Sequence, residues 1–330
     1  MVTHARLPVL WLPRCHRFKV DNLAGMVSNY RTAGAQVLVV SGVIEPEHGH
    51  DFAEAAVDAD ITFCHLTVDE PTLRERLAAR GWPTEAADEA MVMMSGLDDA
   101  PFVTTVIDTT GRDSQDLARH ASALTTPASS TPGTQELPEC PVGPESPVGP
   151  ESSVGAVTIV IGPRAVGKSS VSWGMAMRRW VSGERTVYVD LDQVGFLRPA
   201  PSDASLRAAN LAVIWRNALS RGVNRLIANG MVTTSEDLAI LRHAVRPGPV
   251  QALRLAASPD ALWERIRARS AGSPARLISD DLENASPEVQ RHVHRVAVGQ
   301  NVEYAASDLG DDVIDTTNLC VEEAVEQAFS

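Results

Sequence analysis

The chain has 330 residues, 44% of them apolar and 22% charged, a soluble composition with material for two buried cores. Its net charge of −13 argues against a nucleic-acid partner, because phosphate backbones need clustered Lys and Arg, and no apolar run approaches the ~20 residues of a membrane helix. Four scattered cysteines, with no Cys-x-x-Cys and no Cys/His pair at zinc-ligand spacing, fit a cytoplasmic chain without a structural metal.

In chain order, the apolar stretch Leu7–Leu12 is too short and too closely bounded by prolines for a signal peptide, and reads as an edge or replacement strand. His48 and His50 flank Gly49 in a loop and are not read as metal ligands. Residues 124–154 are rich in Pro, Ser, Thr, Gly and Glu, and carry Pro-Val-Gly-Pro-Glu-Ser twice in succession, at Pro141–Ser146 and Pro147–Ser152. So little apolar content cannot offset the entropy of ordering, which makes this a disordered linker between residues 1–123 and 155–330. A fragment beginning near Ser153 is therefore expected to fold by itself.

Past the linker, Val157–Ile161 is a short β-branched run, and further strands are predicted at Thr186–Leu191, Arg225–Ala228, Val250–Leu255 and Val313–Asp315. Helical spacing covers Lys168–Val181, Leu206–Ser220, Ser258–Arg269 and Val321–Phe329, with Ser258 as N-cap and Pro259 in the first turn of its helix. Strands alternating with helices dictate an α/β fold with a parallel sheet covered on both faces.

The two halves align. Asn22-Leu23-Ala24, Asn29, Gly34 and Ser41-Gly42-Val43 match, without a gap, Asn210-Leu211-Ala212, Asn217, Gly222 and Asn229-Gly230-Met231. Leu66–Arg80 matches Leu255–Arg269, and Val106–Thr110 matches Val313–Thr317, with about 18 more residues in the second copy between Arg269 and Asp315. Two copies at this period describe a duplicated domain, not a solenoid. The first copy begins only at its second or third strand, lacks a phosphate loop and lacks the central strand, so its third and fourth strands have no neighbour between them. It reads either as a degenerate partial copy or as one truncated upstream of its phosphate loop, and on both readings it is not expected to bind ATP unaided.

Gly162-Pro163-Arg164-Ala165-Val166-Gly167-Lys168-Ser169 satisfies the Walker A pattern between a strand and a helix, and Ser170 continues it. Glycines let consecutive backbone N–H groups turn inward on an anion, and the helix start adds its positive end. Lys168 is then a phosphate ligand for ATP and the Ser169 hydroxyl a ligand for Mg²⁺. The chain has only two lysines, Lys19 and Lys168, among 29 basic residues, so a lysine that persists here is one needed as a lysine. Asp190-Leu191-Asp192 ends the second strand; alternation would turn both carboxylates toward the phosphates, Asp190 to the metal and Asp192 to an acceptor hydroxyl as general base.

With these motifs in place, residues 155–330 resemble the small-molecule branch of P-loop kinases, the group holding shikimate, gluconate, adenylylsulfate and chloramphenicol kinases. The carriers are the Walker A loop, Asp190-Leu191-Asp192, the small-residue end of strand three (Ala228-Asn229-Gly230), the arginine-rich helix with Arg265, Arg267 and Arg269, and Asp315-Thr316-Thr317. The resemblance implies a three-layer sandwich of strand order 2-3-1-4-5 and transfer of the ATP γ-phosphoryl group to a small hydroxylated acceptor. The extra residues of the second copy fall where such kinases carry a lid; they hold Arg276 and Asp280-Asp281, and precede a helix with Arg291 and Arg295. Arg276 is the candidate to close over the phosphates, with Arg269 near the nucleotide. One departure stands out: strand three ends without the acid of an ordinary Walker B. A non-catalytic ATP-binding or regulatory module is the rival reading, and a nucleic-acid-directed NTPase a third.

Overall fold

The computed structural model describes residues 2–6, 16–56, 59–79, 84–124, 155–198, 204–272, 282–307 and 309–329. The proposed strand Leu7–Leu12, the proline-rich linker repeats, and Arg276 with Asp280 and Asp281 lie outside the described residues.

In the first half β1 (Val2–Arg6) is followed by α1 (His16–Thr32), β2 (Val37–Ser41), α2 (Gly49–Ala55), β3 (Cys64–Thr67), α3 (Glu70–Ala79), α4 (Glu85–Ser95), β4 (Thr105–Asp108) and α5 (Ser114–Ala123). β1 pairs in parallel with β2, and β3 with β4. Among the described residues no strand joins these two pairs, and the break falls where the alignment omits the central strand. His48 and His50 flank the first residue of α2 and are not in an open loop, a correction to the sequence reading.

The second half runs β5 (Ala156–Ile161), α6 (Lys168–Val181), β6 (Thr186–Asp190), α7 (Leu191–Val194), α8 (Ala204–Leu219), β7 (Arg225–Asn229), α9 (Ser235–Ala244), β8 (Val250–Ala256), α10 (Pro259–Ser270), α11 (Pro287–Ala306), β9 (Asp312–Asp315) and α12 (Val321–Gln327). Its sheet is parallel throughout in the order β6-β7-β5-β8-β9, which is 2-3-1-4-5 within this half. The expected strands and helices recur within a residue or two. α7 and α9 are additions; Thr234 caps α9 by accepting from the Asp237 amide.

Period-two alternation explains how one sheet feeds two cores. Val157, Ile159, Ile161, Val187, Val189, Leu226 and Ala228 enter one core, while Val160, Tyr188 and Ile227 enter the other, packed with Val171 and Met175 of α6 and Leu262 of α10. Both faces are covered, so the strands read as almost unbroken apolar runs. The first core does not stop at the linker. Phe18, Met26 and Tyr30 of α1 are each at most 1% exposed and share it with Leu206, Leu211, Ile214 and Trp215 of α8. Full burial of a large apolar side chain contributes about 1.5–3 kcal/mol, so α1 is part of the second half's stability. The two halves expected to be separable at the linker thus share one core.

Candidate functional site

The β5–α6 loop is shaped by three residues with left-handed backbone. Gly162 has φ +146°, and a Cβ there would lie 2.5 Å from the Leu255 carbonyl oxygen on β8, so any larger residue would push the loop off the sheet. Gly167 caps α6 at φ +102° and supplies no side-chain acceptor, which leaves the first amides of the helix for an anion. Ala165 holds φ +63° with a side chain, a conformation that costs an L-residue about 1–2 kcal/mol. Val166 is buried, and its carbonyl accepts from Arg265 Nη1 at 3.0 Å; Arg265 Nη1 also donates to Thr316 Oγ1 at 2.9 Å. Arg265 thus braces the loop against Thr316. The Arg164 amide donates to Gln300 Oε1 of α11 at 2.9 Å, a second brace.

Lys168 folds back over the loop, its Nζ donating at 3.0 Å to the carbonyls of both Gly162 and Pro163. Burial lowers its pKa from 10.5 to about 8; the charges of Asp192 and Asp190 oppose that drop, and those of Arg269 and Arg164 add to it. All five side chains therefore share one electrostatic neighbourhood, into which a phosphate chain would bring the missing negative charge. Arg269, expected near the nucleotide, lies close enough for its charge to lower the Lys168 pKa.

The acidic pair is arranged differently from the alternation argument. β6 ends at Asp190, and Leu191 to Val194 turn into α7, so strand geometry does not govern Asp192. Asp190 is the N-cap of that short helix, accepting from the Asp192 amide at 3.0 Å. Burial, then the nearby charge of Asp192, raises its pKa to about 6. Asp192 is 46% exposed, accepts from the Met231 amide at 3.3 Å, and lies 3.6 Å from Arg207, whose side chain is only 6% exposed. A carboxylate that is open on one side and held on the other can meet a soluble acceptor. The two acids still converge on Lys168, through a helix cap and not through a pleat.

Ser169 Oγ donates to Asn229 Oδ1 at 3.0 Å, and Asn229 Nδ2 donates in turn to the Tyr188 hydroxyl at 3.1 Å. Asn229 is the last residue of β7 and 1% exposed. It occupies the place where strand three was noted to lack an acid, so the serine expected to ligate Mg²⁺ is oriented by a neutral amide. In the sequence Asn229 is legible only as part of a small-residue strand end, because the predicted strand stops at Ala228 and the structure extends it by this one residue. Arg207, Gln300 and Tyr304, whose hydroxyl accepts from the Val232 amide at 3.3 Å, gave no such signal because they come from α8 and α11. Ser170 stands one residue further into α6, partly exposed.

Elsewhere among the described residues, His16, His48 and Asp51 bring three potential metal-ligating atoms together, with His16 Nε2 3.0 Å from Asp51. The two imidazoles stack with centroids 3.5 Å apart and planes 11° from parallel. A ligated metal lies in the plane of each ring, and planes so stacked share no such point. No described helix is long and apolar enough to cross a membrane.

No protein-family model matches the chain, and no curated protein does. Solved structures similar to it include a gluconokinase from Sinorhizobium meliloti 1021, at 18% identity and a TM-score of 0.36, covering 53% of this chain and 89% of that one. Shikimate kinase from Aquifex aeolicus vf5 is similar at 15% identity and a TM-score of 0.28, covering 52% and 93%. The APS kinase of Mycobacterium tuberculosis, in complex with AMPPNP and APS, is similar at 15% identity and a TM-score of 0.33, covering 54% and 97%. All three are small-molecule kinases, and the similarity spans about half of this chain.

Proposed function

We propose that residues 155–330 bind ATP with Mg²⁺ and transfer its γ-phosphoryl group to a small hydroxylated molecule. One observation carries the reading: a half-buried lysine, its hydrogen bonds among the described residues going to its own loop's carbonyls, lies in the field of two arginines and two acids at the uncapped start of a helix. That donor set fits a polyphosphate. The inward amides at the start of α6 and Lys168 would hold the phosphates, and Arg269 would neutralise charge that builds as the bond to the leaving oxygen breaks. Asp192 accepts the proton of the acceptor hydroxyl as that oxygen bonds to phosphorus. Mg²⁺, when bound, would supply charge neutralisation at the phosphate oxygens, with Ser169 and Asp190 the residues able to hold it.

Asn229 favours a second reading. With a neutral amide behind Ser169, the metal has one acid fewer than in an ordinary Walker B site, as expected of a module that binds nucleotide to regulate contact between halves. Incubation with [γ-³²P]ATP, Mg²⁺ and a library of hydroxylated metabolites separates the two. Label transferred to a metabolite by wild type and not by Asp192→Asn supports the kinase. Nucleotide binding without transfer to any library member supports the module, and no nucleotide binding at all defeats both.

A further inference from the structure

Three alignment pairs, Asn22 with Asn210, Gly25 with Val213 and Asn29 with Asn217, share one spacing in the sequence. In the fold, α1 and α8 lie against each other, and these positions meet crosswise. Asn29 Nδ2 donates to Asn210 Oδ1 at 2.9 Å, and Asn217 Nδ2 donates to Asn22 Oδ1 at 2.8 Å. When the first residue of one element meets the second of its equivalent, and the reverse, a two-fold axis relates them. Such an axis passes midway between residues 22 and 29, where a position must face its own counterpart. It does: a Cβ on Gly25 would lie 2.5 Å from Val213 Cγ1 and 2.9 Å from Cγ2.

The axial pair is asymmetric where the two Asn–Asn pairs beside it are not. Glycine inside a helix costs about 1 kcal/mol relative to alanine, and Gly25 shows no left-handed backbone to require it. Its use here is space. A second α8 laid on α8 would bring Val213 against Val213 where only one side chain fits, and α1 on α1 would leave a hole. Only the mixed pair fills the axis.

We infer that the outer face of α8 is a self-complementary docking surface, made for a helix of its own pattern, and that the chain fills it in cis with α1 as an internal substitute for a second copy. The glycine–valine pair selects the internal partner and closes the face to another molecule's α8. This rests on helix geometry and is independent of the proposed nucleotide chemistry.

Full-length Gly25→Val, Val213→Gly and the double variant test it. Filling the hole alone should lower the unfolding midpoint by roughly 2–5 °C, against the gain that helix propensity would give. Exchanging knob and hole in the double variant should recover more than half of that loss, because the two positions are equivalent about the axis. Losses that simply add overturn the inference. Should Gly25→Val not fold, double-mutant cycles of Asn→Ala at Asn22/Asn217 and at Asn29/Asn210 replace it. Coupling of similar size in both pairs is expected, and coupling in one alone overturns the axis. Midpoints should be independent of protein concentration; a rise with concentration would mean that α1 docks on another molecule, and the cis assignment fails.

Discussion

Replacing Lys168 by Met measures the charge that folding suppresses. In the unfolded chain a lysine keeps its proton to about pH 10.4, whereas burial brings the folded Lys168 down to about 8. Between those values the unfolded state binds more protons than the folded one, so stability rises with pH across that window. Below pH 8 both states are protonated and the folded state carries the whole cost, at most about 3 kcal/mol at 1.36 kcal/mol per unit. Met occupies a similar volume and does not titrate. From pH 7 to 10 the difference in unfolding free energy between variant and wild type should therefore move by about 2–3 kcal/mol in favour of wild type, whatever constant offset the lost bonds to Gly162 and Pro163 impose. Urea unfolding followed by tryptophan fluorescence at half-unit pH steps reads the difference directly. A gap that stays flat refutes the depressed amine. Nucleotide gives an independent reading: a polyanion restores full protonation, so binding near pH 8 should take up about half a proton. Calorimetric heats of ATP binding should then differ between buffers of unlike ionisation enthalpy in wild type and coincide in Lys168→Met, where affinity should also be roughly tenfold to a hundredfold lower.

Asp190, raised to about 6 by burial, destabilises the fold once ionised, so wild type should lose about 2–3 kcal/mol relative to Asp190→Asn as pH climbs from about 4 through 6; a constant difference over that range contradicts the raised value. Asp192→Asn should keep ATP affinity and abolish transfer, whereas survival of transfer with weakened ATP binding would assign Asp192 to the metal. Tyr30→Phe removes a 2.7 Å hydrogen bond from α1 to the Val194 carbonyl at the end of α7 and should cost about 0.5–1.5 kcal/mol in urea unfolding, while an unchanged midpoint would mean that α7 is held by Asn210 alone. A fragment beginning at Gly155 loses Phe18, Met26 and Tyr30 from its core, so its melting temperature should fall well below that of the whole chain; equal values would show that α1 adds nothing to this core.

The sheet of the second half was legible because its strands are buried on both faces and so carry unbroken β-branched runs, and because the Walker A loop announces the strand before it and the helix after it. Gly162 and Gly167 were legible as glycines, since their backbone angles and the nearness of Leu255 admit little else. Less could be read where geometry is decided by tertiary packing. The turn from β6 into α7 depends on Asp190 capping its own next turn, and that choice between cap and continued strand is local and nearly degenerate in sequence. Arg265 looked like one of a series on an arginine-rich helix; only the fold shows it bonded to the Val166 carbonyl and Thr316. The docking of α1 was hidden for another reason. The alignment of the two halves gave the equivalent positions, but not that the equivalents would touch each other.

The split in the first half also has a colloidal consequence. β2 is paired only with β1 and β3 only with β4, so each presents one unladdered edge among the described residues. Apolar side chains stand near those edges: Val40 is 38% exposed and Leu66 59%. Such edges are templates for pairing between molecules, kept in check here by strands of only five and four residues. The second restraint is charge, since copies carrying −13 repel one another over the Debye length. Raising salt shortens that reach from about 10 Å at 0.1 M to about 3 Å at 1 M and leaves the edges as they were. Self-association of this chain should thus increase with ionic strength, the reverse of what an assembly held by ion pairs would do.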